Sequence, residues 1–226
     1  MMAGFGAFGK MPAVGDFFRI AAPPGFVSAW DPWIQGAMLA AQSALGAAWD
    51  GHYMSAPIWR FALAPGLAGR HKVLGVLMPS VDRVGRRFPL TLMAALDTPG
   101  PVPLDHFRET ALFSRLEEVA LSALGDAMTR ERFEADLTTL EAPQMRATAP
   151  LRQAGGCLVL TQSAAGALPG DLAAGLLAGR YATPSVWSTE VAGTPRMMVC
   201  EGLPDETCAR GLFDLNAPIW SEARPL

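Results

Sequence analysis

The 226-residue sequence is poor in lysine, histidine and cysteine, and each shortage removes a class of function. Lysine occurs only as Lys10 and Lys72, and a formal net charge of −3 with a pI near 5.6 leaves no basic excess to neutralise a nucleic-acid backbone. The other basic residues are arginine, a bias that alongside abundant alanine fits codon composition better than recognition. His52, His71 and His106 are scattered, with no H-E-x-x-H and no paired His/Cys spacing, which argues against zinc. Helical spacing places His106 and Glu109 on one face, where a solvated pair is expected. Cys157, Cys200 and Cys208 form no C-x-x-C and leave one thiol over in any disulfide scheme, the pattern of a reducing compartment.

Long apolar runs are missing as well. The uncharged stretch from Pro32 to Trp49 is interrupted by Gln35, Gln42 and Ser43 and is otherwise largely alanine and glycine, so a buried globular helix is expected and membrane insertion is not. Lys10 and Asp16 break up the start of the chain, which lacks the charged-then-apolar order of an export signal, and a cytoplasmic location is expected. No G-x-S-x-G occurs, and no pattern in the chain calls for a cofactor.

Glycine, by contrast, is plentiful at the start. In GFGAFGKMP, residues 4–12, Gly4, Gly6 and Gly9 fit G-x-G-x-x-G, while Gly4, Gly9 and Lys10 fit most of a P-loop. Both patterns fail on context. A dinucleotide site needs a strand before the glycines and a helix after them, yet three residues precede Gly4 and Pro12 and Gly15 follow. The P-loop needs Ser or Thr after the lysine, and Met11 stands there. A short strand from Gly4 to Met11, then a turn, is expected.

Phe26, Trp30, Trp33, Ile34, Met38, Ala41, Leu45 and Trp49 recur at steps of three and four and predict a long helix. IWRFAL, VLGVLM and FPLTLMAAL, separated by glycine, proline and charge, predict three consecutive antiparallel strands. After the proline-rich DTPGPVP, a second long helix is expected to bury Phe107, Ala111, Leu112, Leu116, Val119, Ala120 and Leu124, with Glu117 and Glu118 on its solvated edge. A shorter helix over 132–140 leads to residues 141–156, the best linker candidate. CLVLT predicts a strand, 172–177 a small helix, SVWSTEV and RMMVCEG a hairpin able to complete the first sheet, and the chain after Pro204 a closing helix.

The most informative stretch is GVLMPSVDRVGRRFPL, residues 75–90, where Asp82, Arg83, Arg86 and Arg87 crowd around Gly85 between two core strands. Two readings stand: a solvated hairpin loop whose charges pair locally, or an arginine-bearing recognition site joined by Asp16, Arg19 and Arg60. Ser80 lies beside Asp82 with no histidine near it in sequence to act as a base, so the rival reading, a small phosphate-handling enzyme or hydrolase built on an Asp/Arg pocket, has little support. The six tryptophans are core by default, and an exposed aromatic pair near the arginines would instead indicate a protein-binding surface.

GAFGKMPAVGDFFR, WDPWIQGAM, PIWRFAL and GVLMPSVDRVGRRFPLTL, in this order over residues 6–92, resemble the N-terminal region of the TagF (ImpM) family of type VI secretion system-associated proteins. SVWSTE and MVCEGLPD resemble the less regular C-terminal region, although Ser188 stands where family members often have an aromatic. The resemblance implies an α+β fold, an antiparallel sheet flanked by helices on both faces in a longin- or profilin-like sandwich. It implies one domain over 1–226, in which a motif-bearing N-terminal segment (1–140), a loose connection (141–156) and a closing C-terminal segment (157–226) complete a single fold. It also implies a non-enzymatic cytoplasmic accessory protein that restrains the secretion apparatus after translation. Its partner would be a forkhead-associated-domain scaffold, with a functional link to a threonine kinase and phosphatase pathway. Some relatives carry a fused phosphatase domain; these 226 residues contain no such segment, so that activity is not expected here. The motif positions that the resemblance marks as partner-binding or structural are Lys10, Asp16, Arg19, Trp30, Asp31, Trp59, Arg60, Ser80, Asp82, Arg83 and Arg86, none of them catalytic.

Overall fold

The three apolar runs at the centre of the sequence are the middle of a seven-stranded antiparallel sheet in the computed structural model, which describes residues 4–143, 151–161 and 168–224. They are β3 (Trp59–Leu63), β4 (Lys72–Met78) and β5 (Leu90–Leu96). On one side β5 pairs with β1 (Gly6–Gly9), which pairs with β2 (Phe18–Ile20); on the other, β3 pairs with β8 (Pro184–Val191) and β8 with β9 (Thr194–Glu201). The order is β2-β1-β5-β4-β3-β8-β9, and strands from the last quarter of the sequence extend the sheet begun by the first half.

Every residue of β4 is buried because both faces of the sheet are covered. Leu74, Val76 and Met78 point to one apolar cluster, where they meet Leu90, Leu92 and Ala94 of β5 and Phe113, Leu116 and Phe133 from α4 (Thr110–Ser122) and α5 (Arg130–Thr138). Val73 and Leu77 point to the opposite cluster, with Trp59, Phe61, Trp187 and residues of α1 (Phe26–Leu45), α2 (Trp49–Ser55) and α7 (Glu206–Arg210). This is the period-2 alternation of a strand applied twice, and each fully buried large side chain contributes about 1.5–3 kcal/mol. Glycine lets the first strands approach closely: Gly9 has φ +136°, and a Cβ there would collide with the Pro89 carbonyl oxygen. A Cβ at Gly6 would likewise collide with the Ile20 and Ala21 carbonyl oxygens, so Gly6 and Gly9 serve the packing of β1 between its neighbours.

The predicted helix from Phe26 is α1, continued through a short 3₁₀ turn (Gly46–Ala48) into α2. The second predicted helix is two. α3 (Val102–Arg108) ends at Glu109, with φ −92° and ψ 35°, before α4 begins. The break lets α3 bury Asp105 and His106 while α4 buries Phe113, Leu116, Val119 and Ala120, faces that one straight helix would not direct to both partners. Leu124 lies past the end of α4 and is exposed.

β2 has no counterpart among the predicted strands, being three residues long. β6 (Arg152–Ala154) and β7 (Cys157–Val159) form a separate exposed two-stranded sheet, so the CLVLT strand does not enter the main one. Of the expected linker 141–156, residues 144–150 lie outside the described residues. α6 (Leu168–Arg180) packs on α3, where Arg108 forks onto Asp171. The predicted hairpin is β8–β9, turned by Ala192 (φ 49°) and Gly193 (φ 77°), the left-handed pair of a type I′ turn. The closing segment holds α7, capped by Asp205, and α8 (Pro218–Ser221). No helix among the described residues is long and apolar enough to cross a membrane.

Candidate functional site

The loop between β4 and β5 is organised by one carboxylate. Asp82 Oδ1 accepts from the amides of Val84 (3.1 Å) and Arg86 (2.9 Å), and Oδ2 accepts from Arg86 Nε (2.6 Å) and Lys10 Nζ (3.0 Å). The Asp82 amide donates to the Arg86 carbonyl and Gly85 (φ 82°) donates back to the Asp82 carbonyl, closing the turn that the D-x-x-G spacing permits. The Asp82 side chain is fully shielded from solvent. Burial alone would raise its pKa, but the Arg86 amide, Lys10, the Arg86 guanidinium and the Val84 amide outweigh it and hold the carboxyl well below the usual carboxylate range.

This loop is stitched to the segment that follows β1. Arg86 Nη2 donates to the Gly15 carbonyl (2.7 Å), the Arg83 amide donates to the Val14 carbonyl (3.2 Å), and the Arg83 guanidinium lies across Gly15, with no acceptor of its own among the described residues. The Lys10 ammonium sits 4.8 Å from the centre of the Phe17 ring, which meets Phe88 edge-on at 4.6 Å and stacks on Phe8. Beneath, Tyr53 donates to the Ser80 carbonyl (2.7 Å) and accepts from the Ser80 amide (3.1 Å), and Arg87 pairs with Asp50 of α2. The result is a fixed platform with Phe17 (47% exposed) and Val84 (71% exposed) beside Arg83 and Arg86.

Chemically this arrangement holds and presents. All four contacts of Asp82 among the described residues are donors, which leaves it no proton to give and no open lone pair directed at a substrate. Ser80 is buried, and among the described residues its hydroxyl has no hydrogen-bond partner and hence no base. His52 instead faces Asp214, and His71 accepts from Arg70. No cluster of metal-ligating side chains occurs among the described residues.

Of the sequence-predicted site residues, the fold unites Lys10, Ser80, Asp82, Arg83 and Arg86. Asp16 is next to them but exposed, bonded only to the Phe17 amide among the described residues, and does not join the Asp82 pairs. Arg19 is exposed on β2, opposite Phe8, with one 3.4 Å contact to the Ala22 carbonyl. Trp30 is core, donating to Thr91 Oγ1; Asp31 accepts from Gln35 on its own helix; Trp59 donates to the Leu212 carbonyl and stacks on Trp220. Arg60 does not join the loop. It forks onto Glu117 of α4 at 2.6 and 2.8 Å, on the sheet face opposite to that of Trp59, so Glu117 is an ion-pair partner and not simply a solvated edge.

Sequence reasoning missed a second polar group beside that pair. His106, expected on a solvated face with Glu109, is buried, and so is Glu109. His106 Nε2 lies 2.8 Å from Ser188 Oγ, its Nδ1 has no partner among the described residues, and burial, helped by the charge on Arg60, pushes its pKa down to about 3. Arg60 and Ser188 also border an open cavity of about 380 Å³ along β8 and β9, with Glu190 and Met197. The cross-strand pairing of Arg60 with Ser188 creates this neighbourhood, and only the register reveals it.

The family model for the TagF N-terminal domain, described as type VI secretion system-associated, matches residues 6–140. The crystal structure of PA0076 from Pseudomonas aeruginosa PAO1 is similar over nearly the whole molecule, with a TM-score of 0.79 and 32% sequence identity across 98% of this chain and 97% of that one. No curated protein matches the chain.

Proposed function

Because the chain belongs to the TagF family of type VI secretion system-associated proteins, we propose that it is a non-enzymatic accessory protein that restrains such a system after translation by occupying a partner's surface. In this reading it works in the cytoplasm on a longin- or profilin-like scaffold, as one domain over 1–226. The partner is a forkhead-associated-domain scaffold protein, with a functional link to a threonine kinase and phosphatase pathway.

One observation carries the binding role. The loop of Asp82 is locked from within, through Lys10, Arg86 and two amides, while Phe17, Val84 and Arg83 remain on the outside of that locked frame. Interfaces draw their binding energy from a few aromatic and arginine anchors held on rigid supports, and this platform has both. A phosphate-handling or hydrolytic role for the same residues is supported less, since among the described residues the Asp82 oxygens are taken up by four donors and the Ser80 hydroxyl has no base.

The test is secretion measured with the protein deleted and overproduced. Deletion is expected to raise secretion and excess to lower it. No change in either condition would remove the repressor reading, and phosphate-ester turnover that disappears in Asp82→Ala would favour the enzyme.

A further inference from the structure

We propose that the platform formed by residues 10–19 and 79–89 binds an acidic protein segment, rich in Asp and Glu and carrying a large apolar side chain, without any need for phosphorylation. This deepens the docking reading given above and rests on it.

Charge is the first support. These two segments carry Lys10, Arg19, Arg83, Arg86 and Arg87 against Asp16 and Asp82, and Asp50 reaches across to Arg87. Two positive charges remain, on a chain whose net charge is −3. The surplus is outward-facing. Among the described residues, Asp82 is engaged by Lys10, Arg86 and the Val84 amide, the Arg83 guanidinium has no acceptor, and Arg19 has only its long contact to Ala22. Guanidinium groups without an internal partner accept carboxylates as two-point ligands, and their weaker hydration makes them cheaper to desolvate than ammonium groups.

Shape and polarity supply the second support. Phe17 is nearly half exposed although it packs on Phe8, Phe88 and the Lys10 ammonium, so its outer face is presented on a rigid aromatic base. Val84 is exposed at the tip of the neighbouring turn. A ligand that placed an apolar side chain between Phe17 and Val84 would set its flanking acids against Arg83 and Arg19. A basic segment would meet repulsion, and an uncharged one would leave the arginines without acceptors.

The probe is a fluorescein-labelled nonapeptide of alternating Glu and Asp around a central Leu-Phe pair, followed by anisotropy with the full chain. Saturable binding is expected that weakens as salt is raised, because these charges are exposed to screening. Arg83→Glu should weaken it by about tenfold or more, the equivalent of roughly 1.4 kcal/mol. Phe17→Ala should weaken it as well, while Arg115→Glu on α4, away from the platform, should leave it unchanged. Thermal unfolding of Arg83→Glu at the wild-type temperature excludes misfolding, since that guanidinium has no hydrogen bond to lose among the described residues. Absence of binding at millimolar peptide, equal binding of the Lys-substituted peptide, or undiminished binding to Arg83→Glu would each overturn the proposal. Binding only when a phosphothreonine replaces the acids would overturn it too. If the peptide fails while deletion and excess still change secretion, only the acidic ligand is wrong; if the peptide binds and secretion does not respond, only the repressor role is wrong.

Discussion

Charge is used in two different ways at two places in this molecule. At the strand ends, Asp82 is shared by two cations and two amides, and the cations outnumber the acids. Under the helices, pairing is one to one: Lys72 with Asp105 (2.7 Å), Arg60 with Glu117, and Arg108 with Asp171. Each of these joins one element to another, β4 to α3, β3 to α4 and α3 to α6, and leaves no net charge behind. A closed pair braces; a pair with surplus cations braces and also presents. The residue types are the same in both places, so the ratio of acids to cations, set by the fold, makes the difference.

The largest expected effect tests the closed pairs. Asp105→Ala would strand a buried ammonium and should cost about 3–5 kcal/mol in denaturant unfolding, whereas replacing both partners, Lys72→Met with Asp105→Leu, should recover most of it. If the double variant is as unstable as the single, the pair does more than neutralise itself. Next, Glu117→Ala removes both bonds of the half-buried Arg60 fork and should cost about 1.5–3 kcal/mol. A loss near zero would mean that solvent already carries Arg60.

pH sharpens the comparison further. His106 is neutral when folded, with a pKa near 3, while the unfolded chain takes up a proton below about 6.5. Its contribution is fully present above that value and is lost as pH falls toward 3, at up to about 1.4 kcal/mol per pH unit. Unfolding at pH 7, 6 and 5 should show this slope, and His106→Gln should flatten it. Asp82 acts in the same direction but later: held below its ordinary value of about 3.9, it contributes above that pH and loses its contribution only as pH drops further. The smallest effect belongs to the presenting face. Arg83→Ala and the exposed pair variant Arg115→Ala should both stay within about 0.5 kcal/mol of wild type, since neither side chain is buried.

Periodicity made much of the fold legible. The three central strands, α1, the β8–β9 hairpin and α5 follow from apolar spacing, because burial on both faces needs long regular runs. What stayed hidden has a common cause. β2 is too short for a period to register, and the break at Glu109 arises because α3 must bring Asp105 to Lys72 and His106 to Ser188, partners distant in sequence. In the candidate site, the density of Asp and Arg around Gly85 pointed to the loop in which Asp82 gathers its donors. Arg60 was misdirected because strand alternation sends it to the face of α4, and Asp16 because its carboxylate turns back to the Phe17 amide.

The sequence by itself determined the long strands and helices, that a charged turn separates two core strands, and which family motifs the chain carries, all of them local or patterned properties. Only the tertiary structure decided that Lys10, and not Asp16, completes the Asp82 cluster, that Phe17 and Val84 stand out beside the Arg83 guanidinium, and that His106 is buried. Those outcomes depend on strand register and on competition among distant partners for each polar atom, and a linear order of residues does not encode that competition in any local signal.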